Sequence, residues 1–414
     1  MRVVFLNPCG SLGGAETSLL EILSSLRAAS PQWRVQLVLG EDGPFAAEAR
    51  ARGVSVIVEP FPQTLGRLGD SRKHRLATMK NLLLAAGPAF WYRRRLARLL
   101  RALHPDVIQT NGFKMHLLGA WSRPASTPLI WHIHDYVSTR RLMSRLLRLV
   151  RKACSLAIVN SRSVAADVQT VLPNLKIVPI YNAVDTQRFS PTGATLDLDA
   201  LAGLPPASGE IVRVGLVGTF ARWKGHQVFL EALAQLRVEE NIRGYVIGGP
   251  IYQTNDSQWS LEELRQQASM LGLQGRVGFT GFQGDIPSAM RSLDIVVHAS
   301  TEPEPFGMVI IEAMACGKAL VASRDGGAAE LFIDGQTALG HIPGDASDLA
   351  MQIRRMATNA ELRANLGVAG RASVEKHFDG RRLASQLLAV FHRVSPAGAI
   401  GLSDRAMESW SVRS

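Results

Sequence analysis

The sequence predicts an α/β protein of two domains, each a doubly wound parallel sheet with helices on both faces. Three observations carry this. At 414 residues the chain exceeds one ordinary domain. Short apolar runs of strand length alternate with amphipathic, helix-length segments. The alternation pauses once, in the Pro/Gly- and small-residue-rich stretch PTGATLDLDALAGLPPASGE at 191–210, and then restarts.

The first half opens with RVVFLN (2–7), a glycine loop and a periodic helix, then VQLVLG (35–40), which together form a βαβ unit. VSVIVEP (54–60), DVIQTNG (106–112), LIWHIHDY (129–136), LAIVNS (156–161) and KIVPIYNAV (176–184) continue as strands, most of them separated by helical patterns. In the second half VRVGLVGTF (212–220), GYVIGGP (244–250), RVGFTGF (276–282), DIVVHAS (294–300) and ALVAS (319–323) are strands with helices between them. The expected organisation is a domain over 1–190, a linker over 191–210 and a second domain over 211–378. Residues 379–414 are expected to form a helix packing back on the first domain, followed by a loose tail. Two such domains face each other across a cleft, lined by loops from the strand C-terminal ends.

Composition bounds the function. The chain is 46% hydrophobic and 20% charged, ordinary for a soluble globular protein. No tract approaches the roughly 18 apolar residues of a membrane span. The longest candidate, LLLAAGPAFWY at 82–92, contains a Gly-Pro and runs into Arg93, Arg94 and Arg95. MRVVFLNPCG reads as a first strand, not a signal peptide. Cys9, Cys154 and Cys316 are isolated, with no zinc or disulfide spacing, so a reducing cytoplasm is the default location. Residues 1–190 hold 26 Lys+Arg against 11 Asp+Glu, while the remainder is slightly acidic. This asymmetry points the first half at an anionic partner. No zinc-finger, RRM or KH signature accompanies the charge, so nucleic acid is not the expected partner.

The chemistry sits in loops after strands. EPEPFGMVIIEAMACG (302–317) places Glu304 in the loop after DIVVHAS and Glu312 within the first turns of the next helix. A carboxylate amid apolar residues must find donors or a charge partner. Gly307 removes a side chain where a ligand approaches, and the amides of Gly307, Met308 and Val309 stand at a helix N-terminus suited to phosphate. An acidic helix start favoured by the macrodipole is the competing reading. In GTFARWKGHQVFLEAL (218–233), Arg222 and Lys224 lie in a strand-to-helix loop, either clamping a diphosphate or simply solvated. It is not a Walker loop. Gly13 and Gly14 in GSLGGAE (10–16) either bring amides to an anion or make a tight turn. His134 ends a strand, and His132 is expected to point away from it and act separately.

Taken in order, these segments resemble the family 4, or group 1, glycosyltransferases of GT-B fold. EPFGMVIIEAMACGKALVAS resembles that family's pair of glutamates separated by seven residues. GGAE, YNAVD (181–185), WKGH, GGP (248–250), VGFTGF, LDIVVHAS and RDGGAAELFIDG match in order and spacing. The resemblance implies two Rossmann-like domains, the first facing the acceptor and the second binding the nucleotide-sugar. It places Glu304 and His134 beside the donor sugar and reaction centre, and Glu312 on the ribose. Lys224 with a nearby Arg falls on the diphosphate, assisted by the amides of Gly307, Met308 and Val309, with Gly13 and Gly14 closing over the phosphates. Where the family often has Arg, this chain has Thr219, and Arg222 is expected to supply that charge.

The resemblance further implies transfer of a hexosyl group, with retention, from a UDP- or GDP-sugar to a saccharide or lipid-linked acceptor in polysaccharide or glycolipid synthesis. No cofactor is implied, the nucleotide-sugar being a substrate. No Asp-x-Asp motif of a metal-dependent transferase is read in the sequence. WYRRRLARLLRAL (91–103) and RRLMSRLLRLVRK (140–152) are basic amphipathic helices. Either they lie on an anionic membrane surface, at the inner face, or their apolar sides pack on the first sheet with the arginines solvated. A sugar-nucleotide epimerase and a non-catalytic binding subunit of the same fold are the alternative functions.

Overall fold

The structure is a computed structural model, described here for residues 1–66, 75–207, 209–236, 241–250 and 257–395. The expected loose tail, from 396 on, lies outside the described residues. The described residues divide into two compact units: those within 1–159, 165–180 and 381–395 form the first, and those within 160–164 and 181–380 form the second.

The first unit is built on seven parallel strands: β1 (Arg2–Asn7), β2 (Arg34–Leu39), β3 (Ser55–Val58), β4 (Val107–Asn111), β5 (Leu129–Ile133), β6 (Leu156–Val159) and β7 (Ile177–Pro179), in the order β3-β2-β1-β4-β5-β6-β7. The central strands are buried on both faces, hence the continuous apolar run Val3–Leu6 with no alternation. The connecting helices are α1 (Gly14–Ala29), α2 (Pro44–Ala51), α3 (Gln63–Gly66), α4 (Arg75–Leu103), α5 (Phe113–Ser122), α6 (Arg141–Val150) and α7 (Arg162–Val171). In α1, Leu19, Leu20, Ile22, Leu23 and Leu26 are buried at helical spacing. Helix α4 runs through Gly87-Pro88 without ending.

The second unit holds α8 (Leu198–Ala202), β8 (Val212–Val217), α9 (His226–Ala234), β9 (Ile242–Ile247), α10 (Leu261–Met270), β10 (Val277–Gly281), α11 (Ile286–Arg291), β11 (Ile295–His298), α12 (Met308–Ala315), β12 (Ala319–Ser323), β13 (Leu339–His341), α13 (Ala346–Ala357) and α14 (Ala360–His377). Its sheet is parallel in the order β10-β9-β8-β11-β12-β13. The stretch 191–210, expected as a linker, instead belongs to this unit. Asp197 caps α8, Leu198 is buried, and Asp199 accepts from Arg243 (2.6 Å) and Tyr245 Oη (2.6 Å). These contacts fix a segment whose Pro/Gly content alone suggested freedom.

The last helix, α15 (Gly380–Val394), contributes to the first unit's core. The Phe391 ring meets Phe5 and Trp33, each at 6.1 Å. Among the described residues no helix is long and apolar enough to cross a membrane.

Candidate functional site

In the second unit the strand order reverses between β8 and β11, which pair directly. Loops leaving the C-terminal ends of these two strands therefore run side by side, where doubly wound sheets form their ligand crevice. Lys224 lies in the first loop and Glu304 in the second. Gly225 has φ +76°, and a Cβ there would collide with the Ala299 carbonyl oxygen, so a side chain would push the loops apart. Thr301 N–H donates to the Trp223 carbonyl at 2.8 Å and ties them together. The outcome is an ion pair, with Lys224 Nζ 2.5 Å from Glu304 Oε1.

The carboxylate amid apolar residues thus has its partners. Glu304 is 6% exposed. Its Oε2 accepts from Ser300 Oγ at 2.6 Å and lies 2.6 Å from His298 Nε2. Ser323 N–H donates to His298 Nδ1 at 3.4 Å, which assigns the ring proton to Nε2 and aims it at Glu304. Burial alone raises the Glu304 carboxyl pKa. The Lys224 ammonium, then His298, outweigh it and hold the group well below the usual carboxylate range. Sequence reasoning missed His298 and Ser300. The signal was two polar residues ending the otherwise apolar run DIVVHAS.

Gly307, at φ +99°, starts α12 in a left-handed conformation. The N–H groups of Gly307, Met308 and Val309 have no preceding helical turn to bond and form the positive end of the dipole. Glu312, about one turn further on, is half-buried. Its carboxylate oxygens have no hydrogen-bond partner among the described residues. Burial pushes its carboxyl up to about 7 against the pull of Arg188 and Lys224, which places it within the field of the same lysine.

Arg222 is drawn elsewhere. Its guanidinium lies 3.7 Å from the Trp259 ring centroid and 3.3 Å from Glu263 Oε1, a cation–π contact joined to an exposed ion pair. The structure brings Lys224, Glu304 and Glu312 together and turns Arg222 toward α10. One sequence reading needs correction: Asp197-Leu198-Asp199 does have the Asp-x-Asp spacing. Those carboxylates serve the α8 cap and the bonds to Arg243 and Tyr245, which leaves the pair to structural work.

In the first unit the order reverses between β1 and β4. Gly13 and Gly14 follow β1 and open α1. Gly13 N–H donates to Glu16 Oε2 (3.2 Å), and Cys9 Sγ donates to Glu16 Oε1 (3.0 Å), so Glu16 braces the loop from below. A Cβ on Gly14 would meet no neighbour within 4 Å, so packing does not demand glycine there. His134 stands just past β5, half-buried, with Nδ1 buried and unpartnered among the described residues.

The expected separation of the two histidines is wrong. The His132 and His134 rings are 4.4 Å apart and T-shaped, because alternate residues of a strand share a face. His132 Nδ1 lies 3.0 Å from Asn111 Oδ1. Burial lowers His134 to about 4 and drives His132 well below its ordinary value, so both rings are neutral at neutral pH.

Comparison with known proteins agrees with this geometry. The family described as "Glycosyl transferases group 1" matches residues 209–373, and "Glycosyltransferase Family 4" matches residues 12–188. The chain is 27% identical over 349 residues to the lipopolysaccharide core biosynthesis mannosyltransferase LpsB of Rhizobium meliloti, covering 77% of this chain and 95% of that one. It is 27% identical over 227 residues to the N-acetyl-alpha-D-glucosaminyl L-malate synthase of Bacillus anthracis, and there spans about half of that relative, 56%. Among solved structures, Anabaena Alr3699/HepE in complex with UDP superposes with a TM-score of 0.76 at 28% identity, over 95% of this chain and 100% of that one. The same protein has also been solved with UDP-glucose. The order of the matched segments, the two reversed parallel sheets and these relatives lead to one assignment: the chain belongs to the family 4, group 1, glycosyltransferases of GT-B fold.

Proposed function

We propose that this protein transfers a hexosyl group from a nucleoside diphosphate sugar, UDP-linked in the first instance, to a saccharide or lipid-linked acceptor with retention of configuration. The single observation that carries the reading is the Lys224–Glu304 pair, one cation and one carboxylate held 2.5 Å apart at the topological switch point. In the proposed reaction the bond from sugar C1 to the leaving phosphate oxygen breaks and C1 bonds to the acceptor hydroxyl. The hydroxyl proton passes to the departing phosphate. Negative charge grows on the diphosphate, and Lys224 with the α12 amides stabilises it. Glu304 receives the sugar hydroxyls, Glu312 the ribose hydroxyls, and the neutral His134 the donor sugar near C1. Gly13 and Gly14 serve the phosphates. The nucleotide-sugar is a substrate, and no cofactor enters the proposal.

A panel of sugar nucleotides, read by release of nucleoside diphosphate with saccharide and polyprenyl-linked acceptors, tests the reading. Release from no donor under any acceptor would overturn it.

Glu312 gives a pH signature. A carboxylate must be ionised to accept two ribose hydroxyls, and this one titrates near 7. Nucleotide affinity is therefore expected to rise from about pH 6 to about pH 8 and to release a proton on binding. Its folded pKa lies above the unfolded value, so its ionisation opposes folding: this contribution to stability is present below the unfolded carboxyl pKa and lost as pH rises through about 7. Glu312→Gln should flatten both trends. Glu312→Ala should weaken nucleotide binding by about 1.5–3 kcal/mol, more than it slows transfer. Calorimetry in buffers of different ionisation enthalpy checks the proton, and unchanged affinity in a folded variant would remove the ribose assignment.

Arg222→Ala is expected to act weakly on turnover, since its guanidinium is stacked on Trp259 and paired with Glu263. A loss comparable to that of Lys224→Ala would show instead that Arg222 leaves Trp259 for the diphosphate.

A further inference from the structure

Two helices of the first unit carry, on their outer faces, groups that sugar transfer does not use. Helix α4 turns Tyr92, Leu96 and Leu100 inward, all buried. The opposite side of the same helix holds Leu84, Phe90, Trp91, Arg94, Arg98 and Arg101. Leu84 is 59%, Phe90 46% and Trp91 60% exposed. The guanidiniums of Arg94 and Arg93 lie 5.1 and 5.9 Å from the Phe90 ring centroid, so ring and cations form one surface. Ser122 Oγ donates to the Arg93 carbonyl at 3.2 Å, which holds the end of α5, with Trp121 47% exposed, against this part of α4.

Helix α6 also packs on α5. The sequence left open whether its leucines meet the sheet. The structure turns Ser144 and Leu147 inward and leaves Leu142 at 43% and Leu149 at 80% exposure, beside the exposed Arg141 and Arg145. Apolar side chains on an outer face gain nothing from the fold, and clustered ones mark a contact surface.

We propose that the outer faces of α4 and α6, with the end of α5, dock on an anionic lipid bilayer. The aromatic rings and Leu149 enter the boundary between headgroups and acyl chains, and the arginines take lipid phosphates. Aromatic rings with a wet edge and arginines with long apolar stems suit that boundary. The excess of 26 Lys+Arg over 11 Asp+Glu in residues 1–190 supplies the long-range attraction. A nucleic acid would use the arginines but gives no role to an exposed Leu149. The inference rests on the lipid-linked acceptor reading above, to which it adds the surface that would carry the enzyme to that acceptor.

The test is co-flotation of the full chain with vesicles of phosphatidylglycerol and phosphatidylcholine, against phosphatidylcholine alone. Binding is expected only to the anionic vesicles and should fall as salt rises, since charges are screened beyond roughly 8 Å at physiological ionic strength. Arg94→Gln, Arg98→Gln and Arg145→Gln combined should weaken it roughly a hundredfold. Trp91→Ser with Leu149→Ser should weaken binding at unchanged charge, and both variants should keep the wild-type melting temperature because every changed side chain is exposed.

No binding to anionic vesicles, or full binding by the Trp91→Ser, Leu149→Ser variant, overturns the proposal. Self-association that shields Trp91 from a collisional quencher without lipid also overturns it, assigning the face to a second copy. Nucleotide release with a water-soluble acceptor should be equal in wild type and variants. Failure of that assay in the wild type counts against the transferase reading and leaves the vesicle result standing.

Discussion

Lys224→Ala is expected to lower kcat/KM for transfer by roughly 10²–10³-fold, the loss that follows removal of one preorganised group aimed at developing charge. The lysine stands where β8 and β11 diverge, and Gly225 and Thr301 hold its loop against that of Glu304. In the proposed reaction its ammonium is therefore in place before the diphosphate begins to leave.

The same change should also alter stability. Glu304 has a depressed folded pKa, so it contributes stability that is present above the unfolded carboxyl pKa and lost as pH falls through the folded value. Without Lys224 the carboxylate loses its cation, although its bonds to His298 and Ser300 remain, and this contribution shrinks. Thermal melts of wild type and variant across the carboxylate range should show a smaller gain with rising pH in the variant. Steady-state kinetics check the catalytic half, and near-wild-type turnover would take Lys224 out of the leaving-group role.

Much of this site was legible because the chemistry follows strands. A short apolar run followed by a loop with Lys224, or by Glu304-Pro305-Phe306-Gly307, fixes each residue at a strand's C-terminal end without knowledge of the pairing. What was not legible depends on partners distant in sequence. His298 bonds Glu304 because the loop folds back over its own strand end, and its tautomer is set by Ser323 on the neighbouring strand. Arg222 is claimed by Trp259 and Glu263, which no spacing rule connects to it. For α6 the periodicity showed an arginine face and an apolar face carrying Leu142, Leu146 and Leu149, whereas the structure buries Ser144 and Leu147. Only the packing against α5 decides which side is inward. The segment 191–210 misled for a related reason: composition reports backbone freedom, while Asp199's bonds to Arg243 and Tyr245 anchor it. The histidine pair was legible in principle, since the period of two puts His132 and His134 on one face.

Glu304→Ala is expected to reduce transfer by roughly 10²-fold or more while leaving nucleotide affinity unchanged or tighter. Glu304 holds Lys224 at 2.5 Å, so any phosphate oxygen that takes the lysine competes with this carboxylate, and removing the carboxylate removes the competitor. In the proposed reaction the donor sugar loses the carboxylate that accepts its hydroxyls at the same time, so transfer should fall while binding of the nucleoside diphosphate does not. Calorimetric titration with UDP, set against transfer rates, reads the split. Affinity falling in step with transfer would place Glu304 at the diphosphate and not at the sugar.

The variant also probes the route to the proposed retention. A carboxylate nucleophile needs electron density to give, yet Glu304 accepts hydrogen bonds from an ammonium and a hydroxyl, faces an imidazole N–H, and has its pKa held low. Such a group is a weak nucleophile, which favours attack by the acceptor on the face the phosphate leaves. Azide added to Glu304→Ala, with space where the carboxylate stood, should therefore produce no inverted glycosyl azide. Its appearance would mean that Glu304 forms a covalent bond to C1 in the native enzyme.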